Sequence, residues 1–107
     1  MWTTLESEEQ LAAIRQRSFD HPVVIFKHST RCPTSGMVKS RLERSVSPEG
    51  WEFYYLDLIR YRPVSNRIAE LFGVEHESPQ VLLIRNGECV YDESHMAIRM
   101  EELAEMS

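Results

Sequence analysis

The chain has 107 residues, 42% apolar and 27% charged, with a formal net charge of −5. That length makes residues 1–107 one domain around one core, and the acidic balance argues against nonspecific nucleic-acid binding as a main activity. No stretch approaches the roughly 18 apolar residues of a membrane span, and the start lacks the basic and apolar runs of a secretory signal; two cysteines in such a chain point to a reducing cytoplasm. In chain order, Ser7 with Gln10 three places on forms a capping box, opening a helix to about Ser18 with Leu11 and Ile14 inward. After His21-Pro22 the β-branched run Val23 to Lys27 predicts a buried strand. A helix then starts at Cys32-Pro33, with Met37, Val38, Arg41, Leu42 and Ser45 at one-face spacing, and ends at Ser47-Pro48-Glu49-Gly50. Trp51 to Leu58 alternates as a second strand, and Pro63 starts a helix with Ile68, Leu71 and Phe72 inward and Gly73 as its stop. Asn86-Gly87 between Val81–Ile84 and Cys89–Tyr91 signals a hairpin, and Ala97 to Met106 reads as a last helix. The order α-β-α-β-α-β-β-α gives an α/β fold with a mixed four-stranded sheet: parallel strands joined through helices, and an antiparallel hairpin at the side.

The chemistry concentrates at Arg31-Cys32-Pro33-Thr34-Ser35. Proline is tolerated at the first helical position, so Cys32 falls at a helix start, where the dipole and free amides favour thiolate over thiol. A cysteine of pKa about 8.5 is a few per cent ionised at pH 7, whereas one of pKa about 6 is roughly 90% ionised. Three places on stands Ser35, not a second cysteine, so the chemistry involves one thiol; the Ser35 hydroxyl either donates to that thiolate or simply faces solvent. In the hairpin, a two-residue turn sets Arg85 opposite Glu88, Ile84 opposite Cys89 and Pro79 opposite Ser94. Cys89 then lies roughly 16 Å along the sheet from the proline end, too far to bridge Cys32, and core packing is its default.

The other candidates carry competing readings. His28 follows the first strand and is placed to poise the thiolate; His95 returns to the active-site end or is a solvated loop residue. His21 and His76 read as turn and loop residues, and the histidines and cysteines show no metal-ligand spacing. Lys27, Arg31, Arg60 and Arg62 are either scattered surface cations or, for Arg31 and Arg62 at helix starts, receivers of carboxylates.

Phe26-Lys27-His28-Ser29, Cys32-Pro33-Thr34-Ser35, Ser78-Pro79-Gln80-Val81 and the hairpin ending Ser94-His95 together resemble the YtxJ-type monothiol bacilliredoxins, from about Trp2 to Leu103. Met96 departs from the pattern, standing where a tryptophan is expected. The resemblance implies a thioredoxin-like fold in which Pro79 is cis beside the reactive cysteine. It implies that the backbone of Ser78 pairs with an extended thiol substrate. It further implies catalysis by Cys32 with Ser35 and Pro79, and substrate contacts from Lys27, His28, Arg31, Pro33, Arg62, Ser78, Ser94 and His95. The implied co-substrate is bacillithiol, a cysteine–glucosamine–malate thiol, and the implied partners are bacillithiolated proteins and a recycling reductase. Cys32 would take bacillithiol from a protein mixed disulfide, and an external thiol would reset it. The alternative is a glutaredoxin-like monothiol protein that binds a small thiol with or without an iron–sulfur cluster.

Overall fold

The computed structural model describes residues 2–29, 31, 33–45 and 48–106. In chain order the elements are β1 (Trp2–Thr4), α1 (Glu8–Arg17), β2 (Val23–His28), α2 (Pro33–Arg44), β3 (Glu52–Asp57), α3 (Arg62–Phe72), β4 (Gln80–Arg85), β5 (Glu88–Ser94), a short 3-10 turn at His95–Ala97, and α4 (Met100–Glu105). The sheet order is β1-β3-β2-β4-β5. β1 and β2 lie parallel to β3, while β4 is antiparallel to both β2 and β5.

β2 is buried along its whole length, and its alternation divides the core. Val23 and Ile25 face Leu11, Ile14, Val64 and Ile68 of α1 and α3. Val24 and Phe26 face Val38 and Leu42 of α2 and Leu103 of α4. A strand covered on both faces has no solvent side to keep polar, which is why Val23 to Phe26 reads as an unbroken apolar run. Truncating Ile25 or Leu42 to alanine would cost about 2–5 kcal/mol in a core packed this fully.

Caps and turns follow the sequence closely. Ser7 Oγ accepts from Gln10 N at 3.1 Å, and the Gln10 side chain accepts from Glu6 N at 2.9 Å and donates to Thr4 O at 2.7 Å. Gln10 thereby ties the helix start to the first strand. Gly73 closes α3 at φ 64°, and Asn86 and Gly87 take φ 52° and 79° in the hairpin turn.

Four expectations need correction. The sheet has five strands rather than four, because Trp2–Thr4 adds a short parallel edge strand beside β3. Met37 is 61% exposed. The buried stripe of α2 runs through Ser35, Val38 and Leu42, and position 37 lies about 200° round the helix from 35. A β-bulge between Leu83 and Ile84 advances the ladder by one, so Ser94 faces Gln80 instead of Pro79, while Cys89 faces Ile84 as expected. The last helix begins at Met100, since Ile98 is extended and fully buried between the 3-10 turn and α4. No helix among the described residues is long and apolar enough to cross a membrane.

Candidate functional site

The site lies where β2 runs out and α2 begins. Cys32 itself, with Thr30, lies outside the described residues. The residues on either side are stitched together. Ser29 N donates to Ser35 Oγ at 3.0 Å, and Ser35 Oγ lies 2.7 Å from His28 Nδ1. Arg31 N donates to Ser29 Oγ at 3.3 Å. Ser35 is fully buried, which removes the reading that its hydroxyl simply faces solvent. A buried hydroxyl in the first turn of a helix is tolerated because its oxygen has partners on the strand end.

His28 is 6% exposed, with its ring 6.0 Å from that of Phe26 and 5.4 Å from that of Tyr55. Burial first, and the Lys39 charge second, hold its pKa below the usual imidazole range, against the opposing pull of Ser35, Asp57 and Glu43. Its ground state is the neutral ring.

The second wall is the start of the hairpin. The Ser78–Pro79 peptide bond is cis. Pro79 is buried, and its carbonyl accepts from His95 N at 2.9 Å. His95 takes φ 58° and exposes its side chain, while that bond holds its backbone at the proline end. Ser94 Oγ donates to Glu77 Oε2 at 2.8 Å, and the buried Ser78 Oγ has no hydrogen-bond partner among the described residues.

The four basic candidates divide. Pro33 opens α2 at the surface, and Arg31, Arg60 and Arg62 are exposed, the last as the first residue of α3. Lys27 is fully buried, which leaves it no surface to offer an outside ligand. The period of two along β2 puts it on the same face as Ile25, under α3. There its ammonium donates to Ser65 O at 3.3 Å and meets His76 Nδ1 at 3.4 Å. Burial lowers its pKa to about 8.

His76 is consequently no mere loop residue: it is half-buried, with Ser65 Oγ also 3.3 Å from its Nδ1. Burial, then the charges of Lys27 and Arg62, lower its pKa, with Glu77 opposing. The available signal was Lys27 itself, a charge directly after four apolar residues of a buried strand, which requires buried polar partners elsewhere in the chain. His21, read as a turn residue, reaches Glu52 Oε2 at 2.5 Å.

Cys89 packs half-buried against the α1–α3 side of the core, and its thiol donates to Tyr91 O at 3.3 Å. Burial and, after it, Asp92 push its pKa up to about 11. A thiol so placed is inert at neutral pH. A groove of about 450 Å³ between α1 and α3 passes Ala12, Phe19 and Leu71 at the hairpin-turn end of the sheet and includes none of the candidate site residues.

Comparison with known proteins gives a consistent picture. The family model described as monothiol bacilliredoxin BrxC matches residues 3–103. A solved structure described as having a thioredoxin fold superposes with a TM-score of 0.83, at 30% identity over 98% of this chain and 92% of that one. Thioredoxin from Malassezia sympodialis gives a TM-score of 0.75 at 16% identity, covering 99% of this chain and 88% of its own. A mutant thioredoxin from Halobacterium salinarum NRC-1 gives 0.73 at 15% identity, covering 98% and 86%. At those two identities the likeness is one of fold.

Proposed function

This chain belongs to the monothiol bacilliredoxin BrxC family and is a thiol–disulfide oxidoreductase, and from that premise we propose that it removes bacillithiol from protein mixed disulfides through Cys32. The Cys32 thiolate attacks the bacillithiol sulfur and the mixed S–S bond breaks. A Cys32–bacillithiol disulfide forms, and the protein leaves as a thiolate that takes a proton from water. A second bacillithiol thiolate then attacks that disulfide, releasing bacillithiol disulfide and restoring Cys32; a partner reductase acting on Cys32 achieves the same reset. The chemistry belongs in a reducing compartment such as the cytoplasm.

The observation that carries the reading is the family match over residues 3–103. The inert state of Cys89 supports it, since an internal disulfide with so buried a thiol is disfavoured. In this reading the Ser78 backbone beside Pro79 pairs with the extended substrate. Arg31 and Arg62 receive the malate carboxylates, while Pro33, Ser94 and His95 complete the rim. Ser35, held by Ser29 and His28, supports the thiolate. Intact mass spectrometry after parallel exposure to oxidised bacillithiol and oxidised glutathione tests it. One bacillithiol adduct should form, faster than the glutathione adduct, and Cys32→Ser should abolish it. Equal rates with both disulfides would remove the bacillithiol preference, and an adduct that survives Cys32→Ser would remove Cys32.

A further inference from the structure

Residues 73–78, between α3 and the cis-proline, form neither helix nor strand. Side chains hold them in place instead. Gln80 Nε2 donates to Glu75 O at 2.9 Å, Ser94 Oγ donates to Glu77 Oε2 at 2.8 Å, and His76 turns inward onto Lys27 and Ser65. Of these contacts the one at His76 reaches deepest, because Lys27 and Ser65 are both fully buried.

An ammonium has three donors and no acceptor. The His76 tautomer that accepts from Lys27 Nζ at 3.4 Å presents the Nδ1 lone pair and carries the ring proton on Nε2, and burial with the Lys27 charge favours the neutral ring. Among the described residues Lys27 joins no ion pair, so a buried charge has been placed under this segment with a neutral imidazole and a helix carbonyl as its partners. An apolar side chain at position 27 would fill the same core position without that cost. Lys27 also pairs in register with Gln80, the residue after Pro79, so two adjacent strand residues both grip the segment that leads into the cis-proline.

We propose that His76 is a positioning residue for the exchange reaction: locked by Lys27, it sets the backbone of residues 74–78 and with it the Ser78 edge on which the substrate disulfide lies. The inference rests on the reading that Cys32 exchanges with a mixed disulfide docked along Ser78–Pro79. It predicts that the lock governs docking and leaves the thiolate alone.

The experiment compares His76→Leu, His76→Asn and Lys27→Met with the wild type. Two readouts are needed: the pH profile of Cys32 alkylation by iodoacetamide, and kcat and KM with a peptide carrying a bacillithiol mixed disulfide. Circular dichroism and Tm establish folding. His76→Leu should raise KM roughly five- to tenfold with the alkylation profile unmoved. His76→Asn, which keeps a short acceptor, should recover most of the loss. Lys27→Met should match His76→Leu, and the double variant should lose no more than either single one. Should His76→Leu fail to fold, Lys27→Met and His76→Asn still separate, the first raising KM and the second not. The groups facing His76 are Lys27 on β2, Arg62 on α3 and Glu77 in its own segment. Wild-type KM should therefore rise on the acid side of the ordinary imidazole range, where His76 takes a proton and meets Lys27 as a second cation, and the asparagine variant should lack that rise. Parallel loss of alkylation and exchange would make His76 a tuner of the thiolate and overturn the proposal, as would an unchanged KM in folded His76→Leu. A wild type that forms no bacillithiol adduct overturns the functional reading instead.

Discussion

Cys89 shows how far burial, with Asp92 beside it, can silence a thiol. With a pKa of about 11 it is roughly 0.1% ionised at pH 8, so in the folded protein iodoacetamide at that pH should add a single label, on Cys32. Peptide mapping checks this, and comparable labelling of Cys89 in folded protein would contradict its burial. Cys89→Ala should leave exchange intact. Ser35 carries a different kind of prediction. Replacing it with alanine strands the Ser29 amide and one side of His28 in a buried place, which should cost about 1–3 kcal/mol in urea unfolding. An unchanged midpoint would mean that water replaces the hydroxyl. The helix start that buries Ser35 was legible, because a proline soon after a strand marks the first helical position. The partners of Ser35 were not, since they depend on how β2 and α2 meet in space. His76 escaped for the same reason: nothing local distinguishes an inward loop histidine from an outward one.

Elements that announce themselves by a local rule were the easiest to place. The Asn86-Gly87 turn, the Ser7 cap and the Gly73 stop each follow from the conformation one residue must adopt, and each stands where expected. The β4–β5 register needed more than local rules. The bulge that sets Leu83 opposite Tyr91 leaves Val90 half exposed, a choice made by packing of the two faces and not by the turn. β1 was missed because three residues with mostly exposed side chains carry no period to detect. The inward face of α2 was misread at Met37 because a buried serine is invisible to an apolar count. The hairpin offers a sharp test at Gly87. Its φ is +79°, and a Cβ there would sit 2.9 Å from the Phe19 ring, with Arg15 Nε already donating to the Gly87 carbonyl. Gly87→Ala should destabilise by about 1–3 kcal/mol through backbone strain and this clash. In the double variant with Phe19→Ala the steric part should disappear and the strain remain, which thermal unfolding of the two variants resolves.

Over the whole molecule, titration of buried groups shapes the pH range of stability. His28 and His76 have folded pKa values below their unfolded ones, so the unfolded chain binds protons first and stability falls as pH drops through about 6.5. Cys89 and Tyr91, raised to about 11 and about 12, act at the other end: the unfolded chain loses those protons first, so stability falls as pH climbs beyond about 9. Lys27 runs against that alkaline loss. Its folded pKa of about 8 lies under its unfolded value of 10.5, so between these pH values the unfolded chain holds a proton that the folded chain has shed, and stability rises with pH. Below pH 8 the penalty is complete, amounting to about 3 kcal/mol at most. Lys27→Met should therefore be more stable than the wild type at pH 7, by about 1–2 kcal/mol after the lost contacts to Ser65 and His76 are counted. The difference between the two stability curves cancels the tyrosines and Cys89, which both proteins share. It should shrink steadily from pH 8 to pH 10.5, and a constant difference across that window would show that Lys27 keeps an ordinary pKa in the folded chain. A variant that gains stability while losing its grip on substrate would place Lys27 among the residues kept for the reaction at the expense of the fold.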